Sequence, residues 1–459
     1  MSKAKRVVLI ILLLLALTAT GAQQALKIVK QGSQAYLFGF PLVLMGETFQ
    51  SMTRPETGRP PANHFAHVRA FPDHNFRQVV RPNNDTLYST AWIDLKPGPL
   101  VLSVPDMAGR YYVMPFMDAW TNVFDSVGTR TTGSGSGHYV LAGPDWRGNP
   151  PAGLKVLRSP TNMCWLIGRI QTNGKQDFEA VYRLQAGFKL TPLSRWPGGP
   201  PNQARLVGEQ KAEAVTDNPS ARVLAMSAGA FFNRLSLLLA AQPPAKADGP
   251  AMEILKNFGI EPGRPFDIDK LWFFKRFLLK KAVDLSRRKL LDLSSQDRAS
   301  ENGWAVIRKG IGVYGTDYNV RAFVALVGLG ALTPAEAAYP NSAKDRDGSP
   351  LSGRHQYRIH FKAGATPPVD AFWSLTMYDN RGFLIDNPIR RYAIGDRDDL
   401  KYNSDRSLDI LIQHETPSGN QTNWLPAPAG EFAVTMRLYM PKPEFLNGAW
   451  KLPFIEKTD

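Results

Sequence analysis

The period of the hydrophobic residues changes between that of strands and that of helices along the chain, and this limits the folds that the chain can adopt. Short runs with a two-residue period, separated by turn residues, fill about residues 64 to 190 and again about 350 to 455. Such runs are typical of β-sandwiches and jelly rolls. The segment between them has a helical period with proline breaks. The sequence therefore predicts an α+β protein in which two β-sandwich or jelly-roll-like domains bracket a central helical region.

Four segments follow from these periods. We expect a signal peptide at residues 1–22, an amino-terminal β-rich domain at 24–190, a helical region at 205–340 and a carboxyl-terminal β-sandwich at 345–455. The first β-rich domain opens with a helical period that Pro41 is expected to interrupt, because proline has no amide hydrogen to donate. Hydrophobic residues make up 43% of the chain, which is enough for a packed core and excludes a disordered protein.

The amino terminus has the three parts of a secretory signal. Ser2–Arg6 is basic, Val7–Leu17 is unbroken apolar sequence, and Thr18–Ala22 supplies small residues for a signal peptidase. The apolar run is shorter than the roughly 20 residues that a membrane span needs. We therefore expect a periplasmic or secreted protein that starts at Gln23 and has no membrane span after cleavage. An uncleaved inner-membrane anchor is the alternative.

Basic residues outnumber acidic ones, with 55 Lys and Arg against 40 Asp and Glu, so the formal net charge is +15. Nucleic-acid binding requires a basic face with aromatic residues between the charges, and we expect no nucleic-acid partner. The densest basic stretch, Lys275–Lys289, has the period of an amphipathic helix and is interpreted as a solvated face over a buried stripe. An anionic partner such as lipopolysaccharide, an acidic glycan or membrane headgroups is the alternative.

Metal and nucleophile motifs are weak in this chain. The single cysteine, Cys164, excludes an internal disulfide and a multi-cysteine metal site. His64, His67 and His74 lie in what reads as a loop and need further carboxylates to bind a metal, so no metal site is predicted. The glycine-serine loop at residues 133–137 lacks the lysine of a phosphate-binding loop and the setting of a serine nucleophile. No cofactor is predicted.

The densest polar cluster is the segment Arg81–Tyr88. Pro82 and the Asn-Asn-Asp run that follows it suit a tight turn leading into a strand. We predict that Asp85 acts as the catalytic acid or base, with Asn83 and Tyr88 beside it at the end of a sheet. The alternative is a structural turn in which these side chains bind backbone amides.

A second polar group has the spacing i, i+3, i+4 and i+7 of a single helix face. It consists of Tyr314, Asp317, Tyr318 and Arg321. We predict that this face binds substrate, because an arginine beside a tyrosine suits an anionic or carbonyl group. An interdomain network of ion pairs and hydrogen bonds is the alternative. Trp373 joins the predicted substrate-binding residues because exposed aromatic rings stack on sugars, although β-sandwich cores also use such residues.

Several long motifs resemble a known pairing of two protein families. They are Tyr36–Leu42, Val80–Tyr88, Gly310–Ala322, Ala371–Asp379, Asn423–Pro428, Arg437–Pro441 and Trp450–Pro453. In their order they are similar to proteins that pair the domain of unknown function 1254 with the domain of unknown function 1214, over nearly all of the mature chain. The resemblance implies jelly-roll-like β domains with a helical insert and no established reaction. One departure is Arg406, which stands where the family pattern has a glycine before a strand.

These observations lead to one first hypothesis and two alternatives. The first is an exported hydrolase or lyase-type enzyme that acts on a small-molecule or glycan substrate at a site between the domains. The second is a non-catalytic envelope protein that binds a glycan, a lipid or a small molecule in the same cleft. The third is a structural assembly subunit, because jelly rolls associate readily. Association of the chain into a homo-oligomer is kept as an alternative.

Overall fold

The computed structural model describes residues 3–77, 80–208, 218–295, 301–419 and 421–459, and for residues 3–20 and 294–295 it describes the helical backbone alone. Met1 and Ser2 of the predicted signal therefore lie outside the described residues. The chain divides into two compact units. The first consists of residues 1–48, 218–295 and 314–329, and the second of residues 49–217, 296–313 and 330–459.

Helices of the described chain are numbered here in sequence order. They are α1 (Lys3–Met52), α2 (Thr129–Thr132), α3 (Phe178–Gly187), α4 (Pro219–Ala225), α5 (Ala228–Leu239), α6 (Gly249–Asn257), α7 (Phe273–Ser295), α8 (Tyr318–Gly328) and α9 (Pro443–Leu446). Most of α1 and all of α4 to α8 belong to the first unit. None of the helices that the structure describes is long and apolar enough to cross a membrane.

Strands are numbered in the same way, and all of them belong to the second unit. Those of the amino-terminal half are β1 (Ala66–Val68), β2 (Thr86–Asp94), β3 (Leu100–Val104), β4 (Tyr112–Asp118), β5 (Val123–Gly128), β6 (Gly137–Ala142), β7 (Lys155–Arg158), β8 (Met163–Gln171), β9 (Lys189–Pro192) and β10 (Arg205–Val207). Those of the carboxyl-terminal half are β11 (Ala337–Ala338), β12 (Asn341–Ser342), β13 (Tyr357–Phe361), β14 (Val369–Asp379), β15 (Ala393–Gly395), β16 (Leu408–Gln413), β17 (Trp424–Pro426), β18 (Phe432–Pro441) and β19 (Ile455–Lys457).

Three glycines let other helices of the first unit pack directly against α1. Gly32, Gly39 and Gly46 are seven residues apart, which is close to two helical turns and places them on one face. A Cβ atom at Gly32 would lie 2.7 Å from the Cβ of Ala282 in α7, and one at Gly39 would lie 2.5 Å from a methyl group of Leu235 in α5. The absence of side chains on this face therefore allows the close approach.

The helix α1 continues through Pro41, contrary to the expectation that proline interrupts it. Proline removes the amide donor of one helical hydrogen bond, which favours a break. The residues on either side, such as Phe38 and Leu42, are fully buried, and Phe40 is buried with them. Packing of this apolar stretch outweighs the lost hydrogen bond, because helices in proteins owe most of their stability to tertiary contacts.

The amino-terminal half of the second unit is a sandwich of two sheets. A six-stranded sheet has the order β10-β1-β2-β8-β4-β5, and a four-stranded sheet has the order β7-β6-β3-β9. Their inner faces share one hydrophobic core, to which Leu87, Leu102 and Leu166 contribute from β2, β3 and β8. The first residues of the expected helical region form β10 instead, which pairs in parallel with β1, and the first helix that the structure describes in that region begins at Pro219.

The carboxyl-terminal half of the second unit is also built from two sheets. One has the order β11-β18-β14-β15, with β12 also paired to β18, and the other has the order β17-β16-β13-β19. On β13 the residues Tyr357, Ile359 and Phe361 are buried while their neighbours are half-buried, which is the two-residue period read from the sequence. The α+β fold with two β-rich parts and a central helical region is thereby confirmed.

The turn before β16 accommodates the residue that departs from the family pattern. Arg406 has a φ of 65°, in the left-handed region that favours glycine. Its amide donates to the carbonyl of Asn403 at 2.9 Å, and the Ser407 amide donates to the Asp405 carboxylate at 2.9 Å. The turn is thus formed with an arginine in a glycine conformation.

Candidate functional site

The two sandwiches of the second unit meet through aromatic side chains. The rings of Phe372 on β14 and Tyr439 on β18 are stacked with centroids 4.2 Å apart. Tyr111, which precedes β4 of the other sandwich, contacts both rings edge-on at 5.6 and 5.7 Å. These residues belong to one buried apolar cluster. Polar residues of both sandwiches collect beside this contact.

Asp85 joins the two sandwiches. Its side chain is fully buried. One carboxylate oxygen is ion-paired with Arg397, and the other accepts a hydrogen bond from the Ser374 hydroxyl at 2.7 Å. Arg397 also donates to the backbone carbonyl of Asp85 at 3.2 Å and to that of Thr172 at 3.1 Å. Both oxygens of the predicted acid or base are therefore engaged by protein groups.

Asn83 forms the turn that the sequence suggested and also reaches the other sandwich. Its side-chain oxygen accepts from the amides of Asp85 at 2.6 Å and Thr86 at 3.2 Å. Its side-chain nitrogen lies 3.4 Å from the Tyr88 hydroxyl and 3.2 Å from the Tyr439 hydroxyl. The asparagine thus links the start of β2 to β18.

Tyr88 and Arg169 are directly opposite each other on β2 and β8. The Arg169 Nε donates to the Tyr88 hydroxyl at 3.3 Å, and the guanidinium lies 5.1 Å from the centre of the Tyr88 ring. The remaining Arg169 nitrogens donate to the carbonyls of Ile167 at 3.1 Å and Gly330 at 2.8 Å. Arg169 is thereby held with its charge against the phenol.

The surroundings of Tyr88 favour its ionised form. Burial alone raises the pKa of a phenol, but the charge of Arg169 and the hydrogen bonds from Asn83 and Arg169 outweigh it and lower the pKa of Tyr88 below its usual value. The hydroxyl accepts two hydrogen bonds and donates to no other group among the described residues. Tyr88 also keeps some solvent-accessible surface.

Arg437, on β18 of the other sandwich, is a second buried arginine. It donates to the Thr376 hydroxyl at 2.6 Å, to the Tyr378 hydroxyl at 2.7 Å and to the Arg81 carbonyl at 3.0 Å. Burial lowers the pKa of this arginine, but the nearby tyrosines and Asp85 outweigh it and raise the pKa. Arg437 therefore stays charged.

Neither Arg169 nor Arg437 has a carboxylate within 4.0 Å among the residues that the structure describes, although they are 6% and 3% exposed. Buried charges are normally paired, because desolvation of an isolated ion is costly. Here the guanidinium groups are held by carbonyl and hydroxyl oxygens, which bear no net charge. The site therefore carries an excess of positive charge.

Tyr339 completes the group. Its ring is half-buried, and its hydroxyl makes no hydrogen bond to any residue in the described part of the chain. Burial raises its pKa to about 12 in spite of the opposing charge of Arg169. We refer to the set as the arginine-tyrosine cluster, and it consists of Asn83, Tyr88, Arg169, Tyr339, Arg437 and Tyr439.

The residues predicted to form a polar helix face belong to the first unit. Helix α8 begins at Tyr318, and the Asp317 carboxylate caps it by accepting from the Val320 amide at 3.1 Å. Tyr314 is buried and lies before the helix, so the predicted single helical stripe is not formed. The stripe is not formed because Asp317, two residues after a glycine, is favoured as the N-cap of a helix over a position inside one.

Tyr318 and Arg321 have partners within the first unit. The Tyr318 hydroxyl donates to the Asp248 carboxylate at 2.9 Å, and burial with this acceptor raises its pKa to about 12. The Arg321 guanidinium lies 5.6 Å from the centre of the Tyr318 ring and donates to the Gly315 carbonyl. Within this unit the pair contributes to a local hydrogen-bond network.

Other residues singled out from the sequence have structural contacts. Trp373 is 3% exposed and packs against Phe361 in the core of the carboxyl-terminal sandwich. Cys164 is fully buried, and burial raises the pKa of its thiol. The His67 Nδ1 lies within hydrogen-bonding distance of the Ser89 hydroxyl, at 2.9 Å. Across the described ranges no group of three or more His, Cys, Asp and Glu side chains could hold a metal ion.

Sequence reasoning missed Arg169, Arg437 and Arg397. A signal was available for the first two, because each is the one charged residue of a mostly apolar strand. Such a residue must find polar partners when the strand is buried. Arg397 lies in a turn rich in charged residues and has no comparable local signal.

Comparisons with known proteins agree with the order of the two sandwiches. The family described as "Protein of unknown function (DUF1254)" matches residues 62–192. The family described as "Protein of unknown function (DUF1214)" matches residues 336–443. A search of curated proteins finds no match.

Two solved structures are similar to this chain. One is the VPA0106 protein from Vibrio parahaemolyticus, with 24% identity, a TM-score of 0.69 and coverage of 94% of this chain and 100% of that one. The other is a putative uncharacterized protein from Burkholderia cenocepacia, with 13% identity, a TM-score of 0.44 and coverage of 96% and 98%. The first likeness supports the fold alone. By its two family matches, this chain belongs to the proteins that pair a DUF1254 domain with a DUF1214 domain.

Proposed function

We propose that the protein is a lyase-type enzyme in which Tyr88 removes a proton from a carbon next to the carboxylate of an anionic substrate. The observation that carries this proposal is the environment of the Tyr88 hydroxyl. It accepts hydrogen bonds from Arg169 and Asn83 and donates to no described residue. A phenol in that setting is prepared to lose its own proton and then to accept one from a substrate.

The excess charge of the arginine-tyrosine cluster supports an anionic substrate. Arg169 and Arg437 are buried without a carboxylate partner among the described residues. A substrate carboxylate would neutralise this charge, and the unengaged hydroxyl of Tyr339 is a ready donor to it. Negative charge that moves onto the carboxylate during proton removal would be stabilised by the same arginines.

The proposed step is redox-neutral. The base takes the proton, the electron pair of the broken C–H bond forms a carbon–carbon double bond, and a C–O bond on the adjacent carbon breaks. The leaving oxygen takes up a proton, and we assign Tyr339 or the newly protonated Tyr88 as its donor. A glycan built from uronic acids has the required carboxylate, C–H and C–O groups on neighbouring carbons.

The contacts of Asp85 favour a different role from the acid or base that the sequence suggested. Arg397 and Ser374 occupy its two oxygens, and the side chain is fully buried. A general base needs direct reach to the proton that it removes. We assign Asp85 to holding the two sandwiches together.

A second function follows from the same charge. A buried cationic group binds an anion whether or not a reaction follows, so a non-catalytic protein that binds an acidic glycan or small carboxylate is the alternative. The two functions differ in whether a product appears on prolonged incubation with excess protein.

The test is a screen of uronate-containing glycans for the ultraviolet absorbance of the unsaturated product. We expect product with the wild type, less than about a hundredth of that rate with Tyr88→Phe, and an unchanged rate with Tyr402→Phe, whose ring is 55% exposed. Product formation by Tyr88→Phe at the wild-type rate would refute the base. Calorimetric binding without any product would establish the alternative.

We also propose that the protein is exported to the periplasm or the medium. The support is the basic segment, the apolar run Val7–Leu17 and the small residues that precede Gln23. Amino-terminal sequencing of the protein from fractionated bacteria should find Gln23 as the first residue outside the cytoplasm. An intact amino terminus in the inner-membrane fraction would support the anchor instead.

A further inference from the structure

The start of α7 carries the most exposed aromatic side chains among the described residues of the first unit. Trp272 and Phe273 are each 64% exposed, and Phe277 is 53% exposed. The Trp272 and Phe273 rings are in contact, with centroids 4.9 Å apart, and Phe277 follows Phe273 by one helical turn. Grouped large apolar side chains on a protein surface mark an interaction site.

Positive charge surrounds these rings. Helix α7 contains seven basic and two acidic residues, so its net charge is +5. Lys280, Lys281, Arg288 and Lys289 are exposed. Among the acidic groups nearby, Asp269 is paired with Arg276 at 2.7 Å, and Asp284 lies 4.0 Å from Arg287. The charges of the exposed Lys280 and Lys281, which follow the aromatic residues, can therefore contact an anionic partner.

The opposite face of α7 is fixed in the core of the first unit. Its apolar residues are buried: Leu278, Leu279, Ala282, Val283 and Leu290. The helix cannot turn its aromatic residues inward without exposing this stripe. The aromatic and basic side chains therefore lie on the exposed side of a helix whose other side is packed in the core.

We propose that this surface, formed by Trp272, Phe273, Phe277, Lys280 and Lys281, docks on a membrane of anionic lipids. Aromatic rings bind at the boundary between headgroups and acyl chains, while lysines reach the anionic headgroups. A second copy of the chain is disfavoured as the occupant, because two faces of the same positive charge would repel each other. The proposal is independent of the enzymatic activity.

Vesicle binding tests the role of the surface residues. We expect the full chain to co-sediment with phosphatidylcholine vesicles that contain phosphatidylglycerol. The variants Phe273→Ser/Phe277→Ser and Lys280→Glu/Lys281→Glu should bind at least about tenfold more weakly. The control Lys362→Glu/Lys401→Glu changes the charge equally at exposed lysines of the second unit and should bind like the wild type. Equal losses for the control and for Lys280→Glu/Lys281→Glu would overturn the proposal.

A site-specific probe separates this surface from the apolar amino terminus, which also favours lipid. Because Cys164 is buried, an environment-sensitive thiol label attaches to an introduced Asp284→Cys on the exposed side of α7. Its fluorescence should rise with anionic vesicles, while a label at Lys362→Cys should not change. No change at either position, or the same change at both, would overturn docking through α7.

Discussion

The carboxylate of Asp85 is ion-paired with the guanidinium of Arg397, which lies 312 residues further along the chain. The pair connects the first residue before β2 to the turn after β15, so it joins the two sandwiches of the second unit. Ser374 on β14 adds a second contact to the same carboxylate at 2.7 Å. These three residues lie together because the two sandwiches pack against each other.

Removal of this carboxylate should destabilise the protein. We predict that Asp85→Ala lowers the free energy of unfolding by about 3 kcal/mol, because it leaves the half-buried Arg397 without its counter-charge and the buried Ser374 hydroxyl without its acceptor. Denaturant unfolding measures the change. Asp370→Ala, which removes an exposed carboxylate 3.6 Å from Lys442, should cost less than about 1 kcal/mol. Wild-type stability in Asp85→Ala, with loss of turnover, would restore the catalytic role.

His67 should make the protein less stable in acid. Burial, aided by the charge of Arg69, lowers the pKa of His67 to about 4, whereas an unfolded histidine has a pKa near 6.5. The unfolded chain takes up this proton first, so stability is lost as the pH falls from 6.5 to 4, by up to about 3 kcal/mol. His67→Gln should flatten this part of the stability curve, whereas His355→Gln, at an exposed position, should not. The same slope in wild type and His67→Gln would contradict the prediction.

Replacement of Arg406 by glycine should stabilise the turn before β16. Its φ of 65° is unfavourable for a residue with a Cβ atom, and glycine adopts it freely. We predict a gain of about 1 kcal/mol for Arg406→Gly in thermal or denaturant unfolding. Arg354→Gly removes an exposed arginine elsewhere and should give no gain. A loss of stability in Arg406→Gly would mean that the arginine side chain, rather than the backbone, determines the turn.

The strand positions could be predicted from the sequence because the alternation of apolar and polar residues is a local pattern. The burial of alternate residues along β13 repeats the period that the sequence displays. The turn at Asn83 was accessible for the same reason, since its bonds to the amides of Asp85 and Thr86 span two and three residues. Hydrogen bonds between residues that are close along the chain can be predicted from a local sequence motif.

The positive charge beside Tyr88 could not be predicted from the sequence, because the residues that supply it are distant along the chain. Arg169 lies 81 residues from Tyr88, and the Asn83 contact to Tyr439 spans 356 residues. These pairs depend on strand register and on how two sandwiches meet, which no local motif encodes. The helix face failed for a different reason, since Asp317 ends the helical period as a cap.

Arg169 and Asn83 favour the phenolate of Tyr88, on which the proposed base depends. Burial raises the pKa of many other tyrosines, which are Tyr36, Tyr111, Tyr112, Tyr318, Tyr339, Tyr357, Tyr378, Tyr392 and Tyr439. The pKa of Tyr88 is shifted in the opposite direction, below 10. Its ionisation should therefore precede theirs.

Ultraviolet titration of the phenolates in the folded protein measures this order. We predict that Tyr88→Phe forms less phenolate below pH 10 than the wild type does, and that the control Tyr392→Phe, whose phenol has a raised pKa, forms as much as the wild type. A titration of Tyr88→Phe that coincides with the wild type below pH 10 would contradict the proposed base.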